Sequence, residues 1–366
     1  MKKKIVILIF VLFLLPIASI SAEQIDTIKK QDILPTSFSW RNIDGVDYTT
    51  PIQDQSPAPT CEAYAMCASL ETQMQYQLQE TYGPDLSEVH LYFYAGGTIA
   101  KGYVNLIDAA NYLIQYGVPD EGCFPDPHRS FDFPYESLPG WENRTVKIQH
   151  WGWVDQDIES IKTALINNGP LITCIAVWKD FMYYSSGVYK HKWGTRVGGH
   201  VITIVGYDDT QNCWICKNSW GTNWGEDGWF KMAYDADMFA DWYGPGTGVM
   251  YINGVYGNLQ PNVPKVQIDK PRFSRTYIFN KEYKYFFKKL PIQLAVARIL
   301  GKIQVQITTE NTNNVEFYID NILKYQDDTA PYTWELKTTR GLHTFEVRAY
   351  NDNNMSIDVV DIYVLI

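Results

Sequence analysis

The sequence has no cluster of basic residues beyond its first four positions. Lys and Arg total 31 against 41 Asp and Glu, so the 366-residue chain carries a formal net charge of −10. Nucleic-acid-binding surfaces concentrate positive charge, and we therefore expect no nucleic-acid partner. Signs of bulk disorder are also missing, because hydrophobic residues make up 46% and charged residues 20%. The composition indicates an acidic, folded protein of about two domains.

Cysteine is scarce as well. If one cysteine is kept as a reactive thiol, five remain, so at least one of them is unpaired and a disulfide-stapled scaffold is excluded. The Cys213-x-x-Cys216 pair has no second Cys or His pair near it and lies in a strand-like stretch, where residues three apart point to opposite faces. We expect core thiols there, and neither a metal nor a cofactor. The six cysteines are Cys61, Cys67, Cys123, Cys174, Cys213 and Cys216.

Only one long hydrophobic run occurs, and it lies at the N-terminus. Three lysines precede the apolar run from Ile5 to Leu15, and small residues follow up to Ala22. This order is typical of a secretory signal peptide, which we assign to residues 1–22. An uncleaved membrane anchor is the alternative, but the run is shorter than the ~20 residues that span a bilayer. We predict a secreted or cell-surface protein with no membrane span after cleavage, and residues 23–33 as a short polar leader.

Residues 34–257, called the first region below, show helical patterns followed by strand patterns. Helices are predicted at Ala63–Thr81, at Val104–Tyr116, and from Asp155 or Asp157 to Gly169. Strands are predicted at Leu171–Val177, His200–Tyr207, Trp214–Asn218 and Trp229–Met232. Helices first and strands second predict an α+β fold of two lobes rather than a βαβ sheet.

After a linker at residues 258–264 the pattern changes. The tail, residues 265–366, has short alternating runs that Asn, Asp, Gly and Pro separate every ten residues or so. This is typical of a small all-β sandwich. Since the Cys-Trp-Cys core is missing, any immunoglobulin-like resemblance concerns the sandwich architecture alone. Residues 265–300 show no clear pattern and are grouped with the tail. The predicted strands are Lys302–Thr308, Val315–Ile319, Tyr332–Leu336, His343–Tyr350 and Asp358–Leu365.

Three residues could form a nucleophilic site. Thr60 is placed as the N-cap of the first helix, so Cys61 falls in the first turn, where the helix dipole favours a thiolate. His200 begins an apolar strand behind two glycines and could serve as the base. Asn218 ends a later strand and could orient that base.

Four segments resemble papain-like cysteine peptidases, in the family's order. They are Leu34-Pro-Thr-Ser-Phe-Ser-Trp-Arg41, Gln55-Ser-Pro-Ala-Pro-Thr-Cys61-Glu-Ala-Tyr-Ala, Gly199-His200-Val-Ile-Thr-Ile-Val-Gly206-Tyr207 and Lys217-Asn-Ser-Trp-Gly-Thr-Asn-Trp-Gly-Glu-Asp-Gly228. The resemblance covers about residues 34–257. It implies a two-lobed fold, with a helical lobe and a β-barrel-like lobe, and hydrolysis of polypeptides through an acyl-thioester.

The resemblance also implies the role of each catalytic residue. Cys61 matches the nucleophile, and His200 matches the base that later protonates the leaving amine. Asn218 matches the residue that holds the imidazole in one tautomer. Gln55 matches the side-chain donor of the oxyanion hole.

Substrate-binding residues follow from the same resemblance. Trp220 matches the indole that screens the His–Asn hydrogen bond, and Gly102 matches the glycine whose backbone pairs with an extended substrate. The main specificity pocket is expected to prefer an apolar or aromatic side chain at the second residue before the cut. Its expected lining is Gly102, Tyr103, Cys174, Gly199 and Val201.

Three departures from the family pattern set this chain apart. Glu62 replaces the usual Trp after the nucleophile, and a carboxylate there raises the thiol pKa. Ala58, between Pro57 and Pro59, replaces a usual disulfide cysteine, and the prolines could supply rigidity instead. The leader is too short for a folded inhibitory segment, which predicts activity on export. The rival hypothesis is a catalytically inert surface adhesion or binding protein. Either way, we expect the tail to hold a surface or polymer ligand.

Overall fold

The computed structural model describes residues 34–127, 137–236, 248–259, 263–284, 296–352 and 354–366. The expected signal peptide and leader lie outside the described residues, as does part of the expected linker, 260–262. No helix within the described ranges is long and apolar enough to cross a membrane.

Four α-helices occur in the described part of the first region, and the three predicted helices are confirmed with shifted ends. The helix Glu88–Tyr94 was not predicted, because five of its seven residues, Glu88 to Tyr92, are buried and leave no exposed polar face to reveal its period. The helices are α1 Cys61–Leu78, α2 Glu88–Tyr94, α3 Leu106–Gln115 and α4 Ile158–Asn168.

The predicted strands of the first region are confirmed and belong to one sheet. Within the described residues its order is β3-β9-β4-β6-β7-β8-β5, with β1 paired to β6. A small separate sheet joins β10 to β2. The strands are β1 Ser37–Ser39, β2 Val146–Lys147, β3 His150–Val154, β4 Leu171–Trp178, β5 Val188–Tyr189, β6 Arg196–Asp208, β7 Cys213–Lys217, β8 Trp229–Ala233, β9 Val249–Asn253 and β10 Tyr256–Gly257.

The first region has two hydrophobic cores, and α1 belongs to one of them. One core joins α1, through Met66 and Leu70, to α3 and to Cys174 and Val201 of the sheet. The other core packs α4 onto the opposite part of the sheet, with Trp214 at its centre. This division into a helix-rich and a sheet-rich lobe is the predicted α+β architecture.

The tail contains only strands in its described residues, arranged in two sheets. One sheet has the order β11-β15-β18, and the other has the order β13-β12-β14-β20-β19-β16-β17. Their shared core is apolar and includes Phe317, Phe345 and Val347. The strands are β11 Lys265–Lys270, β12 Arg275–Ile278, β13 Lys281–Lys284, β14 Ala297–Leu300, β15 Ile303–Glu310, β16 Asn314–Ile319, β17 Ile322–Asp327, β18 Thr333–Leu336, β19 Gly341–Tyr350 and β20 Met355–Val364.

One buried arginine joins the tail to the first region. The Arg144 guanidinium donates to the Asp120 carboxylate with an Nε–Oδ2 distance of 2.7 Å. The same group donates to the Met355 carbonyl at 2.6 Å and to Ser356 Oγ at 2.9 Å, both in β20. Gly122 lies against Ser356 so closely that a Cβ there would be 2.6 Å from the serine side chain. The packing of Gly122 against Ser356 therefore leaves no room for a larger residue at position 122.

Candidate active site

Cys61 is the first residue of α1. The predicted N-cap position of Thr60 is confirmed, but its side chain makes no capping hydrogen bond, and its Oγ1 is buried without a partner among the described residues. The helix begins through the Thr60 carbonyl, which accepts from Ala63 and Tyr64 backbone N–H groups. The Val201 backbone N–H donates towards the Cys61 sulfur. The helix and β6 therefore hold the sulfur at the boundary between the two lobes.

His200 and Asn218 meet across adjacent strands. The pairing of β6 with β7 brings them together, with His200 Nε2 2.7 Å from Asn218 Oδ1. The Ser219 backbone N–H also donates to this Oδ1 at 2.8 Å, which identifies that atom as the oxygen. His200 must then carry its proton on Nε2, and Nδ1 is left as the acceptor in the neutral imidazole. This is the tautomer that a general base for a thiol requires.

Gln55 is pinned beside Asn218 by backbone pairing and by side-chain hydrogen bonds. Its backbone N–H donates to the Ser219 carbonyl at 3.0 Å. Its side-chain oxygen accepts from Ser219 Oγ at 2.7 Å, and its Nε2 donates to the Ala58 carbonyl at 3.0 Å. One of the two amide N–H bonds is thus used, and the other remains available as a donor. Sequence reasoning missed Ser219, although it directly follows Asn218 in the longest family-like motif.

An aromatic cluster covers the base. The Trp220 ring lies 4.6 Å from the His200 ring, centroid to centroid. Phe181 and Trp224 pack against Trp220 at 5.6 Å and 5.0 Å. Rings at this distance exclude water from the His200–Asn218 hydrogen bond and strengthen it by lowering the local dielectric.

Burial keeps the nucleophile and the base neutral at rest. Burial raises the pKa of the Cys61 thiol well above its ordinary value, and the neighbouring Glu62 charge raises it further. Burial lowers the pKa of His200 to about 4, while its hydrogen bond to Asn218 acts in the opposite direction. At neutral pH the two side chains are therefore a thiol and a neutral imidazole.

Glu62 points at the nucleophile. Its carboxylate Oε2 lies 3.6 Å from Cys61 Sγ, a distance at which the thiol donates a hydrogen bond to it. The Val104 backbone N–H also donates to this carboxylate. Burial raises the pKa of Glu62 to about 7, against smaller lowering effects from these hydrogen bonds.

The residues expected to line the substrate pocket lie on β4, on β6 and on the loop before α3. Cys174 is buried opposite Val201 in the β4–β6 pairing, and Gly199 pairs with Ala176 next to His200. Gly102 has a φ of +75°, a backbone conformation that favours glycine, and Tyr103 beside it is exposed.

A second ionisable group is buried along the opposite side of α1. Glu71 accepts from Thr50 Oγ1 at 2.5 Å, and Thr50 accepts from Lys217 Nζ at 2.8 Å. Burial raises the pKa of Glu71 to about 7, with the Lys217 charge lowering it, and burial lowers the pKa of Lys217. Sequence reasoning missed this pair, and its only signal was a carboxylate at an apolar helix position.

The cysteines other than Cys61 are buried thiols without disulfides. This agrees with the sequence interpretation of Cys213 and Cys216 as core residues. Among the described residues, no group of three or more His, Cys, Asp or Glu side chains could hold a metal ion.

Known proteins resemble the first region. A gut-specific cysteine proteinase of Caenorhabditis elegans is 29% identical over 206 residues, which cover 50% of this chain and 63% of that protein. Cathepsin B-like CP3 of Giardia intestinalis is 52% identical over 79 residues, which cover 21% of this chain and 26% of that protein. The match thus spans about a quarter of the Giardia protein and under two thirds of the nematode protein.

A solved structure of the bromelain protease from Ananas comosus in complex with the E64 inhibitor is 27% identical, covers 60% of this chain and 99% of that chain, and has a TM-score of 0.48. The family model described as papain family cysteine protease matches residues 34–244, which is more than half of the sequence. This chain therefore belongs to the papain family of cysteine proteases.

Proposed function

We propose that this protein is a secreted peptidase that hydrolyses peptide bonds with Cys61 as nucleophile, His200 as base and Asn218 as orienting residue. The observation that carries the proposal is the 2.7 Å hydrogen bond from His200 Nε2 to Asn218 Oδ1. That bond leaves Nδ1 free to take the thiol proton. A binding protein without catalysis has no need for this tautomer to be fixed.

Catalysis proceeds by acyl transfer in two steps. The Cys61 proton moves to His200, and the sulfur attacks the scissile carbonyl carbon. His200 then protonates the leaving amine as the C–N bond breaks, which leaves a thioester on Cys61. Water, deprotonated by His200, attacks the thioester carbonyl, the C–S bond breaks to release the acid, and His200 returns the proton to the Cys61 sulfur. Asn218 keeps the imidazole at a constant angle through both steps.

Gln55 and the Cys61 backbone N–H form the oxyanion hole in this mechanism. The two hydrogen bonds that fix the Gln55 amide support this role, because a donor that is already ordered needs no reorganisation when charge develops. One such donor contributes on the order of 3 kcal/mol to the transition state.

Polypeptide substrates bind in an extended conformation against Gly102 in this proposal. Tyr103, Cys174, Gly199 and Trp220 line the adjoining subsites. The small or apolar character of Cys174 and Gly199 favours an apolar or aromatic residue two positions before the cut. A peptide library that showed a charged preference at this position would contradict this assignment.

Export and attachment complete the proposal. Residues 1–22 act as a signal peptide, and the sandwich tail binds a surface or polymer ligand. Intact-mass analysis of the exported protein is expected to show cleavage near Ser21 or Ala22. A retained N-terminus would contradict the signal-peptide assignment.

A fluorogenic peptide panel tests the activity. The wild type is expected to turn over at least one peptide, and Cys61→Ala to turn over none. Cys213→Ala is the matched control, since it also removes a buried thiol, at the end of β7 farther from Asn218, and it should leave turnover unchanged. Folded wild-type protein that is inactive on the whole panel would favour the rival, inert adhesion or binding protein.

A further inference from the structure

Glu62 is buried directly beside the Cys61 side chain. Its side chain is only 5% exposed although it lies in the first turn of α1. Its carboxylate reaches the reacting atom itself, 3.6 Å from Cys61 Sγ. A buried carboxylate in contact with a nucleophilic sulfur must affect that sulfur differently in its two protonation states.

Among the described residues, none of the groups that shift the pKa of Glu62 is a cation. The groups that act on it are its own backbone N–H, the Cys61 thiol on the same helix and the Val104 backbone N–H on the loop before α3. On β4, the Glu62 charge raises the pKa of the Cys174 thiol, and the charge of Arg196 on β6 lowers it. From β6, the Val201 backbone N–H faces the sulfur. The ionised carboxylate is therefore desolvated without an ion-pair partner, which favours its neutral form.

We propose that Glu62 is a further catalytic residue that works in its neutral form, in which the carboxylic acid donates a hydrogen bond to the Cys61 thiolate. The ionised form does the reverse, because it accepts the thiol proton in a hydrogen bond and repels the thiolate. The proposal rests on Cys61 and His200 acting as proposed above. The thiol proton still moves to His200, and the Glu62 proton stays on Glu62 throughout the cycle.

The protonation of Glu62 sets how the activity changes with pH. Burial raises the pKa of Glu62 to about 7. Below that pH the neutral acid supports the thiolate, and above it the carboxylate opposes the thiolate. The wild-type enzyme is expected to lose activity as the pH rises above neutrality, with a slope approaching tenfold per pH unit for one proton.

The experiment compares wild type with Glu62→Gln. Glutamine keeps the shape and can donate an N–H to the sulfur, but it cannot ionise. Two rates are measured from pH 5 to 9: kcat/KM on a fluorogenic peptide, and alkylation of Cys61 by iodoacetamide, read by peptide mass spectrometry. The wild type should show a fall above pH 7 in both rates. In Glu62→Gln this fall should vanish, so that alkylation at pH 8 is about tenfold faster than in wild type, one pKa unit.

Superimposable wild-type and Glu62→Gln profiles would overturn the inference, as would a uniform loss of activity with the pH profile unchanged. A changed preference for basic over apolar peptides, with no change in the pH profile, would also overturn it. It would make Glu62 a specificity residue instead. Failure of the peptidase proposal looks different, since it would leave both proteins without turnover at every pH.

Two further measurements keep the inference testable if Glu62→Gln does not fold. Glu62→Trp introduces the residue that papain-like relatives usually carry here, and it should also remove the fall above pH 7. The wild type alone gives an answer too. Its alkylation rate should drop between about pH 6 and pH 8 before free thiolate appears at higher pH. A rate that rises steadily across this range would contradict the inference.

Discussion

The first region and the tail are stabilised in opposite ways. The first region buries ionisable side chains, among them Glu62, Glu71, Lys217 and His200, and their pKa values are displaced from the ordinary ones. The tail has an apolar core around Phe317, and among its described residues the buried carboxylates are Glu346 and Asp361. Burying charge costs free energy, and a fold accepts that cost where chemistry needs shifted proton affinities. The contrast marks the first region as the catalytic one.

The largest expected difference between the two regions is in their histidines. His200→Ala should lower kcat/KM by about 10⁴-fold or more, because it removes the base that ionises Cys61. The matched control is His343→Ala in the tail, whose ring also pairs with a side-chain oxygen, Oδ2 of Asp320, at 2.6 Å. Steady-state kinetics should show less than about a twofold change for the control. Equal losses in both variants would remove the distinction between the regions.

The junction between the two regions gives the next largest effect. Arg144→Met leaves Asp120 without its buried partner and frees the carbonyl of Met355. Breaking a buried ion pair costs about 3 to 5 kcal/mol of folding free energy. Urea unfolding should show that loss, while kcat/KM of the folded protein stays close to wild type.

The control for the junction is a surface ion pair in the tail. Arg272 lies 3.1 Å from Asp269 with about half of its side chain exposed. Arg272→Met should cost less than about 1 kcal/mol. If the two arginine variants lose the same stability, the Arg144 contact does not join the regions as described.

The oxyanion hole should give a smaller but purely catalytic effect. Gln55→Ala removes one donor to the transition state, so kcat should fall by about 100-fold with little change in KM. Gln115→Ala, at the exposed end of α3, is the control and should leave both constants unchanged. A rise in KM without a fall in kcat would mean that Gln55 binds the ground state instead.

The pH dependence of stability is the smallest predicted difference. The raised pKa of Glu71, about 7 against an ordinary 4.5, means that the unfolded chain releases this proton first as the pH rises. Stability therefore falls between pH 4.5 and pH 7 and stays lower above. The lowered pKa of His200, about 4, acts the other way and costs stability as the pH falls below 6.5.

Thermal unfolding at pH 5 and pH 8 measures this balance. Several buried carboxylates share the raised pKa, including Glu62 and Asp85, so Tm should be higher at pH 5 by on the order of a few °C. Glu71→Gln should reduce the Tm difference between pH 5 and pH 8. Glu335 in the tail is exposed, and Glu335→Gln should leave that difference unchanged. A Tm that is higher at pH 8 would show that these carboxylates are ionised in the folded protein without cost.

Sequence patterns predicted α1, α3 and α4 from their helical period, and β4 and the core of β6 from their continuous apolar runs. They missed α2, which is buried on most sides, and β17, which is exposed along nearly its whole length, because neither has a contrast between faces. In such segments the hydrophobic residues show no period that would distinguish a helix or a strand. The strands β11 to β14 were also missed, and they lie within residues 265–300, where the sequence shows no clear pattern.

The site shows the same limit at the level of side chains. Motif spacing placed Cys61, His200 and Asn218 in one constellation, because it reports the chemistry shared by a family. The direction of Glu62 depends on the rotamer that its neighbours allow, and no local pattern encodes it. The Arg144 contact with Met355 joins residues 211 positions apart, so it follows only from the folded arrangement.

The most direct test of the peptidase account is selective labelling of the nucleophile. The native protein is treated with a thiol-directed epoxide and digested, and all six cysteines are mapped by mass spectrometry. The account predicts modification of Cys61 alone in wild type, and strongly slowed modification in His200→Ala, because an epoxide reacts with the thiolate that His200 generates. Folded wild-type protein in which Cys61 stays unmodified, or reacts equally fast without His200, would contradict it.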